Sequence, residues 1–310
     1  MLKNPIVNPI PQPECEPITE NEFLKTFVIP DNTVMEEHTI VVEGDIIIGN
    51  HSDIRYGLIA DSVILGERVK LSGNITTASD VRIDMWSQIG GTVRTDSNAY
   101  LGEFVTIDGK LVVKGDLDIG NDVKINGGFE ARGWIVIRNP IPVIAYLFMY
   151  LSEMLRMGKD EEVERALEEL FEDEMEAVSD VAMIIPNGSR ISIDTIRVPS
   201  KAVIGNNCRL VGNIRAMSLQ MGDNNTLYGS IRTVGDTMIG ENNSIHGNII
   251  SRGDVYVSQG SHILGEINAR SIKIHETARV DGVLRSQKGT VFEREHSEVI
   301  SEDELMNLDV

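Results

Sequence analysis

One spacing governs this chain. In its second half Ile204-Gly205-Asn206, Met221-Gly222-Asp223, Ile239-Gly240-Glu241, Val257-Ser258-Gln259 and Ile274-His275-Glu276 follow at steps of 17, 18, 18 and 17 residues. A second series keeps the same steps: Gly212, Gly229, Gly247, Gly265 and Gly282. The first half repeats the pattern with Ile48-Gly49, Leu65-Gly66, Ile83-Asp84, Leu101-Gly102 and Ile119-Gly120, while Gly73, Gly91, Gly109 and Gly127 hold its second series. The halves match each other at an offset of 156, which becomes 155 after about Gly115. Val28-Ile29-Pro30 meets Ile184-Ile185-Pro186, and Ile48-Gly49-Asn50 meets Ile204-Gly205-Asn206. A fixed period of this length, held over both halves, marks a repeat architecture built by tandem duplication.

The period is filled by short alternating stretches, such as Val255-x-Val257, Ile263-x-Gly265-x-Ile267-x-Ala269 and Ile272-x-Ile274. Alternation marks strands with one buried face, and the glycines interrupt any helical pattern. Three short strands and three turns make one rung of a β-helix, and like residues stack on like. Ile48, Leu65, Ile83, Leu101 and Ile119 form one expected interior column; Ala216, Thr233, Ser251, Ala269 and Ser286 form a small-residue one. A sandwich or barrel need not hold such a period. The expected fold is therefore all-β, a β-helix (solenoid) of two tandem five-rung copies.

The period breaks between the copies. Pro140 and Pro142 precede an apolar run, Val143 to Leu151, that continues to Met157 and stops at Gly158. Asp160 then reads as an N-cap, with Val163, Ala166, Leu167, Leu170, Phe171 and Met175 on one face amid many Glu. This predicts an inserted αα-hairpin. The domain reading is a disordered Pro-rich arm over 1–27, a first β-helix copy over 28–139, the hairpin over 140–180, a second copy over 181–293 and an acidic disordered tail over 294–310. Ile144, Leu147, Phe148 and Leu151 are the candidate hairpin contacts, whether to the solenoid, to a partner or to a membrane.

Charge narrows the partners. The 310 residues carry 28 Lys and Arg against 48 Asp and Glu, a net charge of −20. That argues against nucleic acid, whose binding rests on cations neutralising phosphates. It argues equally against electrostatic adhesion to anionic lipid, though not against apolar insertion. Cys15 and Cys208 lie too far apart in sequence to suggest a disulfide framework or a metal-ligand spacing. No secretory signal pattern opens the sequence, and its longest apolar run is too short to span a bilayer. The expectation is a cytoplasmic protein, peripheral to a membrane at most.

The period also suits a hexapeptide-repeat acyltransferase using acyl-CoA, since Ile239, Ile245, Ser251, Val257, Ile263 and Ala269 fall at every sixth position. Such enzymes need a general base, usually histidine. His38, His51, His246, His262, His275 and His296 fall in different columns and do not converge as metal ligands would. No G-x-x-x-x-G-K-[ST] occurs. The expectation is no catalytic, cofactor-binding or metal-binding residue and no cofactor, with the acyltransferase as the alternative.

A solenoid leaves strand edges at its ends, and uncapped edges pair with other chains. The second copy runs out at Val291-Phe292 and the first opens at Phe27-Val28-Ile29. These five residues are the candidate self-assembly surfaces. Residues 264–282, which hold G-x-I-x-A and then A-x-V-x-G, together with Lys288-Gly289-Thr290-Val291-Phe292, resemble the bactofilin family of cytoskeletal proteins. The resemblance implies a right-handed β-helix and nucleotide-free polymerisation. It also implies a scaffold for membrane- or envelope-associated machinery, here doubled and with a helical insert. The expected partners are thus the chain itself and, through the hairpin, membrane-associated or envelope proteins.

Overall fold

The computed structural model of the protein describes residues 25–137 and 181–294. Among the described residues thirty-eight strands of two to five residues stack into three faces of fourteen, twelve and twelve strands. We call the fourteen-stranded face I. Face II runs from Lys124–Ile125 to Leu284–Ser286, and face III from Phe129–Ala131 to Arg279–Val280. The architecture is a parallel β-solenoid.

Alternation explains the strands. Each points one or two aliphatic side chains inward and polar ones outward, as in Ile267-Asn268-Ala269, which is buried, exposed and buried in turn. Ile48, Leu65, Ile83, Leu101 and Ile119 stand in one register column of face I, the first four fully buried and Ile119 packed against them. Burying one such side chain contributes roughly 1.5–3 kcal/mol.

The corners are held by side chains that replace missing strand hydrogen bonds. Asn98 Oδ1 accepts the Asp116 N–H at 2.9 Å, and Asp116 Oδ1 accepts the Trp134 N–H at 2.7 Å. Inside the second copy Asn243 Oδ1 accepts the Asn225 N–H at 2.8 Å and its Nδ2 donates to the Gly222 carbonyl at 2.8 Å. A second corner closes tightly on glycine: a Cβ on Gly91 would stand 2.3 Å from the Gly73 carbonyl oxygen, and one on Gly109 2.4 Å from that of Gly91. Only hydrogen fits between these stacked backbones.

The two copies do not stack in chain order. They join at their N-terminal rungs and grow outward in opposite directions. Phe27–Ile29, from the first copy, lies parallel to Ala202–Ile204 of the second. Ala182–Ile185, from the second copy, lies parallel to Asp45–Ile48 of the first. Each copy therefore donates its opening strand to the other. The donated strands meet antiparallel, with Val28 opposite Ile184. Faces II and III reverse at the same level, through the hairpins Arg190–Ser192 with Thr195–Arg197 and Val34–Met35 with Thr39–Val41. Every other pairing in the described residues is parallel. After its donated strand the first copy winds through faces I, II and III, and the second through I, III and II. That exchange is what a two-fold axis through face I requires.

Each copy winds through five full rungs, as the spacing predicts, and the two copies are interlocked halves of one continuous rod. Spacing along a chain fixes which rungs are neighbours within a copy and is silent on how copies meet. The expected αα-hairpin insert finds no support: no α-helix occurs among the described residues. Residues 140–180, on which that reading and the contacts Ile144, Leu147, Phe148 and Leu151 rested, lie outside them.

Candidate assembly and docking surfaces

Among the described residues both ends of the rod are strand edges: at one end Lys124–Ile125, Phe129–Ala131 and Ile135–Ile137 each have a described strand neighbour on one side only, and at the other Arg279–Val280, Leu284–Ser286 and Thr290–Glu293. Val291 and Phe292 sit on this second edge, and Phe292 is 61% exposed. The first edge is the more apolar: Phe129, Ile135, Val136 and Ile137 are all exposed, beside Trp134 at 81%. Ile137 and Phe292 are matching positions at the offset of 155, so the two ends are versions of one another.

Phe27, Val28 and Ile29 lie elsewhere. The structure places them at the centre of the rod, with Phe27 and Ile29 buried between the halves. Sequence reasoning named one end of the rod and missed Ile135–Ile137. The signal was the repeat offset itself, which carries the 290–292 edge onto 135–137.

The groups that chemistry would need are dispersed. His262 Nε2 lies 2.9 Å from Asp281 Oδ2, and Arg279 sits beside the same carboxylate; together they hold the Asp281 carboxyl below its usual range. His246 stacks on Tyr228 with ring centroids 4.6 Å apart, and His275 Nδ1 lies 2.8 Å from Thr277 Oγ1. The Cys208 thiol is buried against the Pro30 carbonyl, and burial pushes its pKa up to about 11. Among the described residues no three His, Cys, Asp or Glu side chains are grouped to hold a metal ion. No described helix is long and apolar enough to cross a membrane.

Face II has a different character. One row of outward positions runs unbroken over all twelve strands: Lys124, Thr106, Gln88, Lys70, Asp53 and Arg190, then Arg197, Arg215, Arg232, Ile250, Asn268 and Arg285. Seven of these positions are cations and one is an acid. Like charges directly opposite on adjacent strands destabilise a sheet. Asp53 relieves Arg190 at 3.4 Å and Glu266 relieves Arg285 at 3.4 Å, but Arg197, Arg215 and Arg232 have no carboxylate partner among the described residues. A cleft of about 560 Å³ opens beside them, lined also by His51, Met217 and Val234.

These observations define the class of the protein, a parallel β-solenoid with an internal two-fold. The chain matches no protein-family model, no curated protein and no solved structure. The bactofilin resemblance is corrected accordingly. The segments that carried it, 264–282 and 288–292, are a solenoid rung and the closing edge. Their alternation and turn glycines are what stacking of short rungs demands, so they report the fold and no particular ancestry.

Proposed function

We propose that this chain is a non-enzymatic, self-assembling scaffold unit that joins other copies end to end. The observation that supports this reading is the pair of terminal edges, each without a further strand neighbour among the described residues and each with exposed apolar side chains. Edge strands of this kind template pairing with another chain unless they are blunted. A contact between opposite ends extends into a filament, whereas a contact between like ends closes a dimer. Burial of Cys208 and the separation of the histidines support a structural role over acyl transfer.

The test is Phe292→Arg in the full chain, followed by sedimentation and thermal melting. The expected result is a smaller assembly with an unchanged melting temperature. Unchanged assembly size removes this end from the interface. Titration with CoA addresses the enzyme alternative: a ligand at about 100 times its dissociation constant adds about 2.7 kcal/mol of stability. No thermal shift is expected.

A further inference from the structure

We propose that face II, along its corner with face I, docks on a bilayer bearing anionic lipid. Three independent features of the fold meet there. The first is the cation row, whose central stretch from Lys70 to Arg232 places five cations over six adjacent strands. At about 4.8 Å per strand this stretch is about 24 Å long and the whole row about 53 Å, presented on one face.

The second feature is the corner beside the row. Phe104 and Trp86 project from it in the first half, stacked with centroids 5.7 Å apart, and Met217 and Val234 in the second; all four are exposed. Arg68 lies over Trp86 at 5.1 Å. Aromatic and aliphatic side chains beside Lys and Arg are the composition of surfaces that lie in a membrane interface.

The third feature is the divergence of the copies. Where the second has Arg197, Arg215 and Arg232, the matching first-copy positions hold Val41, Ile59 and Thr76. The fold does not need arginine there. Trp86 and Phe104 sit at φ of 56° and 58°, in the left-handed region that bulky residues avoid. The matching turns of the second copy, on the corner between faces I and III, hold Asn242 and Gly260, which suit that backbone. Both departures from what the fold prefers fall on the same side of the rod.

Most of the net charge of −20 lies outside the described residues. The described residues contain 23 Lys and Arg against 26 Asp and Glu, so 22 of the 48 acids lie in the remaining segments. A surface charge acts over about 10 Å at 0.1 M salt, so a bilayer on this corner senses face II together with the turns that carry Glu67, Asp84, Glu103 and Asp122, and the seven cations of the row outnumber these acids and Asp53.

The test is co-sedimentation of the full chain with vesicles of phosphatidylcholine alone, or with about one third phosphatidylglycerol. It is run on the wild type and on Phe292→Arg, so that it reads independently of end-to-end assembly. Binding to the anionic vesicles only, weakening with salt, is expected. The triple variant Arg197→Gln/Arg215→Gln/Arg232→Gln should bind about 100-fold more weakly. Trp86→Asn should weaken binding without lowering the melting temperature, and Ile250→Arg, which extends the row, should tighten it. The proposal is overturned if the wild type ignores anionic vesicles, if the triple variant binds as well as the wild type, or if Ile250→Arg has no effect. Binding to single-stranded RNA in place of vesicles also overturns it.

Discussion

Val28 and Ile184 face each other across the one antiparallel pairing of face I, and they are the same position of the two copies. A residue opposite its own repeat mate marks a local two-fold axis. The hydrogen bonds around it obey the same symmetry. Asp31 Oδ1 accepts the Asn206 N–H at 2.7 Å, and its mate Asn187 accepts the Asn50 N–H at 2.8 Å. The two copies are thus related within one chain as the subunits of a two-fold dimer are, with their opening strands paired at the centre.

Phe27→Ala should destabilise the fold and leave the assembly surfaces untouched. The side chain is fully buried beside the donated strand. A truncation there costs about 3–5 kcal/mol. Urea unfolding should show that loss, with sedimentation of the folded fraction unchanged. A normal midpoint combined with smaller assemblies would return Phe27 to an interface.

Ile137→Arg should act at the first edge as Phe292→Arg acts at the second. Either substitution shortens the assembly, and the two together leave single chains. Sedimentation of the double variant at wild-type size would show that contacts are made elsewhere than at the ends.

Asn243→Ala removes one acceptor and one donor from a buried corner. The Asn225 N–H and the Gly222 carbonyl each lose a partner. An orphaned buried group costs about 1–3 kcal/mol. The melting temperature should fall, whereas Asn98→Ala, in a more exposed ladder, should lower it less.

Neighbouring glycines should behave differently. Gly91→Ala forces a methyl onto the backbone of Gly73, and overpacking of this kind costs roughly 1–3 kcal/mol. At Gly90 the nearest atom to an added Cβ is 3.1 Å away, a contact that small shifts relieve. Equal melting temperatures for the two variants would show that the stacked corner has slack.

Cys208 should resist alkylation. The thiolate is the reactive form, and a pKa raised to about 11 leaves very little of it near pH 8. In a Cys15→Ser background, labelling should be about 100-fold slower than for a free cysteine of pKa near 8.5. The rate should rise as pH approaches that value, or on unfolding. Fast labelling at pH 8 in the folded state would contradict the burial.

Much of the rung was legible before any coordinates. Ile48, Leu65, Ile83 and Leu101 could be stacked from their spacing because parallel pairing repeats identical positions. The junction could not, because Phe27 and Ala202 are brought together by a contact with no period at all. The cation row was half visible. Arg197, Arg215 and Arg232 keep the steps of 18 and 17, but a net charge taken over the whole chain averages them against acids elsewhere in the sequence. The first edge went unnamed for a related reason: Ile135 to Ile137 look like the middle of the chain, and only the reversed growth of the copies makes them an extremity.

The exchange of opening strands has a consequence for how the molecule is made. The swapped contacts join residues about 175 and 137 positions apart, as in Phe27 with Ala202 and Ala182 with Asp45, so closure must wait until most of both halves exists. Two nascent chains trading those strands would satisfy the same pairings in an entangled twin. What protects the single chain is tethering, which keeps its own partner strand at a local concentration that neighbours reach only when crowded together. Refolding yield should therefore depend on dilution more than on temperature.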